Sequence, residues 1–243
     1  MSLTREDLAN INNMLFDEDT YDIVFFLYAV CYYSIFRIGC EHLFPGKVKS
    51  MAKQQYIVTL LHDAIVLPLC ALGWVSGMAD APALIYLLTG AYLASDSIVN
   101  YTPLAGCVAE VTRSPGVPDF NWGVHLHHAF TILLCALGPN LPERAVVEGA
   151  ICVFLGEFGS LWVALALLYP YRSIYVVRFY SFLVSRVCGF ALAADMAMQI
   201  YEQSVPLCLA WLGLVGGLAL ENWRTISSLQ ASRRDAKHAD KDH

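Results

Sequence analysis

Apolar residues run through this chain in long blocks, broken by short polar segments, with little of the strict alternation that marks half-buried strands. At about 1.5 Å of rise per residue, about 20 mostly apolar residues cross a hydrocarbon core of about 30 Å as a helix. Seven windows approach or reach that length: approximately 22–44, 56–78, 83–101, 123–138, 145–169, 174–200 and 204–222. The fourth is the shortest. Between them stand turn-forming or charged segments such as Pro45-Gly46-Lys47, Ala79-Asp80-Ala81-Pro82, Ser114-Pro115-Gly116, Gly138-Pro139-Asn140 and Tyr169-Pro170-Tyr171. The pattern predicts an all-α polytopic membrane protein of about seven transmembrane helices.

Composition strengthens that expectation. Hydrophobic residues make up 57% and charged residues 15% of the 243, against about 45–50% and about 25% in a soluble domain. Seven apolar helices in so short a chain would leave too little polar surface to cover them in water. The net charge of −6 leaves no basic patch to neutralise a run of phosphates, which argues against nucleic-acid binding. Six of the eight cysteines, Cys31, Cys70, Cys135, Cys152, Cys188 and Cys208, sit inside apolar runs and read as small core residues, not as a disulfide framework.

Charge placement predicts the orientation. Loops one, three and five and the C-terminal end hold eleven Lys and Arg (Lys47, Lys49, Lys53, Arg113, Arg172, Arg178, Arg224, Arg233, Arg234, Lys237, Lys241), while the other side holds Arg5 and Arg144 alone. The positive-inside rule then places the N-terminus outside the cytosol and the C-terminus inside. Residues 1–21, with five acidic side chains and only Arg5, form an acidic non-cytosolic start unlike a secretory signal. Residues 22–49 form a first anchor and its loop, and 229–243 a charged, solvated cytosolic tail. Trp122, Trp211 and Trp223 are expected to anchor at the membrane interfaces.

An ionisable group in the hydrocarbon region costs about 2.5–3.5 kcal/mol or more, so each needs a partner, a wet cavity or a task. His62, Asp96, His125, His127 and His128 all fall within two turns of the predicted cytosolic ends of their helices and form one layer. Glu157 and Arg186 lie near the midplane, where a buried ion pair between spans five and six would neutralise both, with Ser160 in the same network. Within His125-Leu126-His127-His128-Ala129-Phe130-Thr131, His127 and Thr131 share one helix face and His125 and His128 another. The adjacent histidines diverge by about 100°, so one of them is expected to enter a central cavity while the other bonds to a neighbouring helix. A neutral imidazole oriented by Asp96 could act as base or nucleophile. The competing expectation is that these histidines only link helices. A metal is not expected: di-iron histidine boxes need about eight histidines, and this chain has seven, with His238 and His243 in the tail; one zinc on the His125/His127/His128 cluster is the remaining metal alternative. Gly213 and Gly217 form a small-residue pattern suited to close packing within the bundle.

These residues, taken in order, resemble the TLC domain, the family of the translocating-chain-associating membrane proteins and the longevity-assurance ceramide synthases. The resemblance covers roughly residues 50–228. It rests on Val58-Thr59-Leu60-Leu61-His62, on Asp96, on His127-His128 with Thr131 in the HHxxT form, on Gly156-Glu157-Phe158-Gly159-Ser160, on Phe182-Leu183-Val184-Ser185-Arg186 and on Glu221-Asn222-Trp223. It implies a barrel of six helices, spans two to seven, preceded by an extra helix. Where ceramide synthases carry a His-Asp pair beyond the paired histidines, this chain has Phe154-Leu155-Gly156-Glu157, which makes it more similar to the short TLC domain-containing proteins linked to membrane lipid composition.

Two functions follow as expectations. One is acyl transfer from acyl-CoA, as co-substrate, to a lipid amine or hydroxyl, with His127 or His128 as base or acyl acceptor, Asp96 as orienter, and His62, His125, Thr131, Glu157, Ser160 and Arg186 lining the substrate site; no other cofactor is expected. The other is non-catalytic binding, regulation or trafficking of membrane lipids by the same cavity. Both place the chain in membrane lipid metabolism or homeostasis, in the endoplasmic reticulum or another endomembrane, with the plasma membrane as the alternative.

Overall fold

The computed structural model describes residues 18–48, 51–77, 81–102, 107–108, 122–141 and 143–239. Arg5, Lys49, Arg113, Lys241 and the Ser114-Pro115-Gly116 turn lie outside them, as does the side chain of Trp122. Seven long helices carry the described chain: α1 (Glu18–Leu43), α2 (Lys53–Ser76), α3 (Ala81–Tyr101), α4 (Trp122–Leu137), α5 (Glu143–Leu168), α6 (Arg172–Gln203) and α7 (Val205–Ala239). Six are long and apolar enough to cross a membrane, and Val124–Leu137 of α4 is a shorter apolar helix. The protein is an all-α, multi-pass integral membrane protein.

Local chemistry ends the helices near the expected places. Gly46 and Gly77 take positive φ angles of 126° and 64°, which side chains rarely adopt, and Gly77 caps the C-terminus of α2. A 3₁₀ turn at Gly138–Asn140, built around Pro139, follows α4. Ser204, in extended backbone between α6 and α7, accepts the Leu207 amide on its Oγ at 3.4 Å. One feature is absent from the sequence-based expectation: a hairpin of β1 (Lys47–Val48) and β2 (Met51–Ala52) joins α1 to α2. Gln55 Oε1 accepts the Ala52 amide at 2.9 Å and caps the following helix.

Helix α2 packs on α3, α3 on α4, α4 on α7, α7 on α6, α6 on α5, and α5 again on α2, while α1 lies against α3 and α2 from outside. Helix α3 is the centre: 61% of its span is buried, against 24–33% in the other five candidate spans. The outward faces carry large apolar side chains, among them Leu27, Tyr32 and Ile35 of α1, Val184 and Val187 of α6, and Leu209 and Leu212 of α7, as a lipid-facing surface requires. Cys31 and Cys188 lie on these faces and are exposed, not core residues as their apolar surroundings suggested; in a bilayer an apolar run is apolar on its lipid side too. Two further expectations change. Arg178, counted among loop cations, is buried within α6, and the charged tail continues α7 as helix to Ala239.

Close approach is built on small residues at defined points. Tyr86 of α3 fills a notch formed by Gly138 and Gly149 and donates its hydroxyl to the Val146 carbonyl at 2.9 Å. Gly217 of α7 receives the Phe130 ring of α4, whereas Gly213 meets nothing within 4 Å, so half of the small-residue pattern serves packing. A methyl group on Gly149 would strike the Tyr86 hydroxyl. Gly149→Ala is therefore expected to destabilise the protein by about 1–3 kcal/mol, and Tyr86→Phe to recover part of that loss. Thermal melting of the two single variants and the double variant checks this; strictly additive losses would show that the notch is not a close contact.

Candidate functional site

Three polar groups occupy the bundle interior, and they touch. The first gathers at the ends of α1 and α3 and the start of α2. Arg37 of α1, 0% exposed, pairs through Nη1 with Asp96 Oδ1 at 2.6 Å. Its Nε donates to Ser95 Oγ at 3.0 Å and its Nη2 to the Tyr92 carbonyl at 3.2 Å, and the guanidinium lies 4.9 Å from the centre of the Tyr92 ring. Asp96 also accepts from Asn100 Nδ2 at 3.0 Å and from Gln55 Nε2 at 3.1 Å on its other oxygen, and Gln54 donates to Asn100 at 2.5 Å. A buried ion pair of this kind is tolerable because the remaining donors and acceptors are met.

His128 belongs to this first group. Its Nε2 lies 3.7 Å from Asp96 Oδ2 and its Nδ1 3.2 Å from Ser97 Oγ, which holds the ring toward α3. His125 packs edge-on against Tyr101, with ring centres 4.3 Å apart. His127 points elsewhere, as the helical angle between neighbours requires: it lines a cavity between α4, α5, α6 and α7. Structure thus divides the expected catalytic trio, with His127 at the cavity and His128 and Asp96 behind it. The three histidines of this segment do not converge on one point, so they do not form the zinc cluster considered from sequence.

The cavity, of about 100 Å³, is the second group. Beside His127 it is lined by Thr131, Glu157, Ser160 and Arg186 from the expected set, and by Phe190, Trp211, Leu214 and Asn222 among residues not singled out for it. Trp211, expected at an interface, is buried here with its indole N–H donating to the Ala193 carbonyl at 3.0 Å. Arg186 does not form the expected ion pair with Glu157. Its Nε donates to Asn222 Oδ1 at 2.6 Å, Nη1 to the Gly156 carbonyl at 3.0 Å and Nη2 weakly to Ser160 Oγ at 3.5 Å. All of these partners are neutral. Close packing supports the arrangement, since a side chain on Gly159 would collide with Ser185 Oγ and crowd Arg186. Nη1 also reaches the Leu155 carbonyl at 3.4 Å, so four of the five guanidinium N–H donors are met by neutral groups of the protein.

The third group joins the other two. His62 of α2, 0% exposed, stacks on Tyr92 with ring centres 4.2 Å apart and planes 6° from parallel, and its Nδ1 is 2.9 Å from the Tyr33 hydroxyl. The next residue, Asp63, also 0% exposed, reaches toward Glu157 of α5; ligand atoms of His62, Asp63 and Glu157 all lie within 4.8 Å of one another. No donor reaches either oxygen of Asp63. Sequence reasoning passed over Arg37 and Asp63, although a charge inside an apolar window was the signal for both. At the opposite end of the bundle, Arg144 pairs with Glu148 at 2.7 Å and Asp195 at 2.8 Å, and Gln199 bonds both acids. This accounts for Asp195 without a role in the cavity.

No family model, no curated protein and no solved structure matches the chain. Since His128 is bonded within a buried network and His127 borders open space, the two truncations should differ. His128→Ala is expected to cost about 1–3 kcal/mol of stability, and His127→Ala less than about 1 kcal/mol. Melting curves in detergent compare them, and equal losses would contradict the assignment.

Proposed function

We propose that the protein binds the polar end of a membrane lipid in the cavity beneath His127 and acts in membrane lipid homeostasis as a TLC-like protein. The observation that carries this is Arg186: a guanidinium at the wall of an otherwise mostly apolar cavity, held by neutral partners, with Phe190, Trp211 and Leu214 also in the lining. Such a group favours a carboxylate or phosphate, the negative charge that its neutral partners do not supply. Size limits the occupant. An engineered cavity of about 150 Å³ takes one benzene, so about 100 Å³ suits a headgroup or the first atoms of an acyl chain, with the remaining tail passing between helices into the bilayer.

The order of helix contacts, leading from α2 through α3, α4, α7, α6 and α5 back to α2 with α1 outside, supports a six-helix TLC-type barrel and seven spans. Counted charge and the family resemblance together favour an endomembrane location with the C-terminus cytosolic. An acyl-transfer reaction from acyl-CoA in this cavity would run on His127, the histidine that borders it, with Thr131 and Ser160 nearby. Asp96, bound to Arg37 and facing His128, cannot orient His127 directly, and this division favours lipid binding over a paired-histidine acyltransferase.

Mass spectrometry of the intact protein released gently from detergent tests the proposal. A lipid with an acidic headgroup is expected to co-purify with the wild type and to fall about tenfold or more in Arg186→Gln, the loss of one charge-assisted contact. Unchanged occupancy in that variant, or an empty wild-type protein, would overturn it.

A further inference from the structure

The cluster His62, Asp63 and Glu157 meets the cavity just described only through Glu157, and its composition calls for a cation. Two carboxyl groups and an imidazole from α2 and α5 meet in the interior, with ligand atoms within 4.8 Å of one another. Asp63 is fully buried, and no hydrogen-bond donor reaches Oδ1 or Oδ2. A buried carboxylate without a donor is a large free-energy cost in water-poor surroundings, and a second carboxylate beside it adds repulsion. The nearest arginines are engaged elsewhere: Arg37 holds Asp96, and Arg186 holds Asn222 and backbone carbonyls.

The geometry points to a binding site for one divalent metal ion, of the Zn²⁺ kind, held by His62, Asp63 and Glu157. One imidazole nitrogen and two carboxylate oxygens form a mixed N/O donor set of the sort zinc accepts, and two negative charges cancel those of the ion, leaving a neutral centre inside the bilayer. Ligand atoms around tetrahedral zinc, each about 2.0–2.2 Å from the ion, stand roughly 3.3 Å apart. The observed separations, all within 4.8 Å, exceed that by at most about 1.5 Å. His62 is steadied by the Tyr33 hydroxyl on Nδ1 and by the Tyr92 ring, as outer-shell groups steady metal-bound imidazoles, and its Nε2 has only a long 3.5 Å contact with Thr89 Oγ1 for a metal to replace. Glu157 also lines the cavity, so the site borders the cavity on that side. Such a site does not depend on whether a lipid occupies the cavity.

Zinc content of the full-length protein decides the matter. Protein purified in mild detergent on a histidine-free tag, equilibrated with Zn²⁺ and freed of loosely held metal, is measured by elemental mass spectrometry. About one zinc per chain is expected for the wild type, at least tenfold less for Asp63→Asn and Glu157→Gln, and an unchanged content for Asp195→Asn, whose carboxylate lies in the Arg144 group at the other end of the bundle. EDTA is expected to lower the melting temperature of the wild type and to leave Asp63→Asn unmoved. Wild-type protein that holds no zinc and melts identically with and without EDTA would overturn the site, and would leave the two carboxyl groups sharing a proton instead. Should either variant fail to fold, the wild-type zinc content and EDTA shift decide alone.

Discussion

A guanidinium in the hydrocarbon of a bilayer is costly unless a counter-charge or a full set of acceptors meets it, and much of this structure is organised around supplying a counter-charge to Arg37. Its carboxylate partner, Asp96, is on α3, the most buried helix, and the 2.6 Å contact brings α1 against the centre of the bundle. Because one ion pair leaves donors and acceptors over, Ser95, Gln54, Gln55 and Asn100 crowd around it from α2 and α3. Breaking such a pair on one side costs about 3–5 kcal/mol, since the surviving charge stays buried. The pair therefore does little to make the fold more stable than an apolar core would, but it strongly specifies which helix faces meet.

That specification reaches the cavity. With Asp96 fixed by Arg37, His128 turns toward Asp96 and Ser97, and helix geometry then rotates His127 by about 100° into the space between α4 and α7. Tyr92 lies under Arg37 and stacks on His62, and His62 stands beside Asp63 and Glu157 at the cavity edge. A polar path thus runs from Arg37 on the outermost helix through Tyr92 and His62 to Asp63 and Glu157 in the interior. Function is proposed at the end of that path, where Arg186, unlike Arg37, is left with neutral partners.

The architecture was largely legible in the sequence because hydrophobic runs of membrane length have few alternatives: the seven windows and the seven helices agree to within about four residues at every end but the last, where α7 runs past 222 to Ala239, and proline and glycine turns mark most of the breaks. What could not be read is which side of each helix looks inward. Glu157 and Arg186 were an obvious ion pair by depth, yet Asn222 on α7 takes the guanidinium instead, a choice made by three helices together. Arg37 and Asp63 were visible as charges in apolar windows, but their importance depends on partners 59 and 94 residues away, Asp96 and Glu157. The outward turn of Cys31 and Cys188 has the same origin: in lipid, both faces of a helix are apolar, so apolarity no longer reports burial. The hairpin after α1 is too short for period or propensity to reveal.

A thermodynamic cycle on Arg37 and Asp96 probes the interaction on which the arrangement rests. Arg37→Met, Asp96→Leu and the double variant are unfolded reversibly in detergent and their free energies compared with the wild type. Each single variant strands one buried charge, so the double variant is expected to be more stable than either, with a coupling energy of at least about 2 kcal/mol. Losses that simply add, with the double variant the least stable of the three, would contradict the claim that this pair organises the bundle.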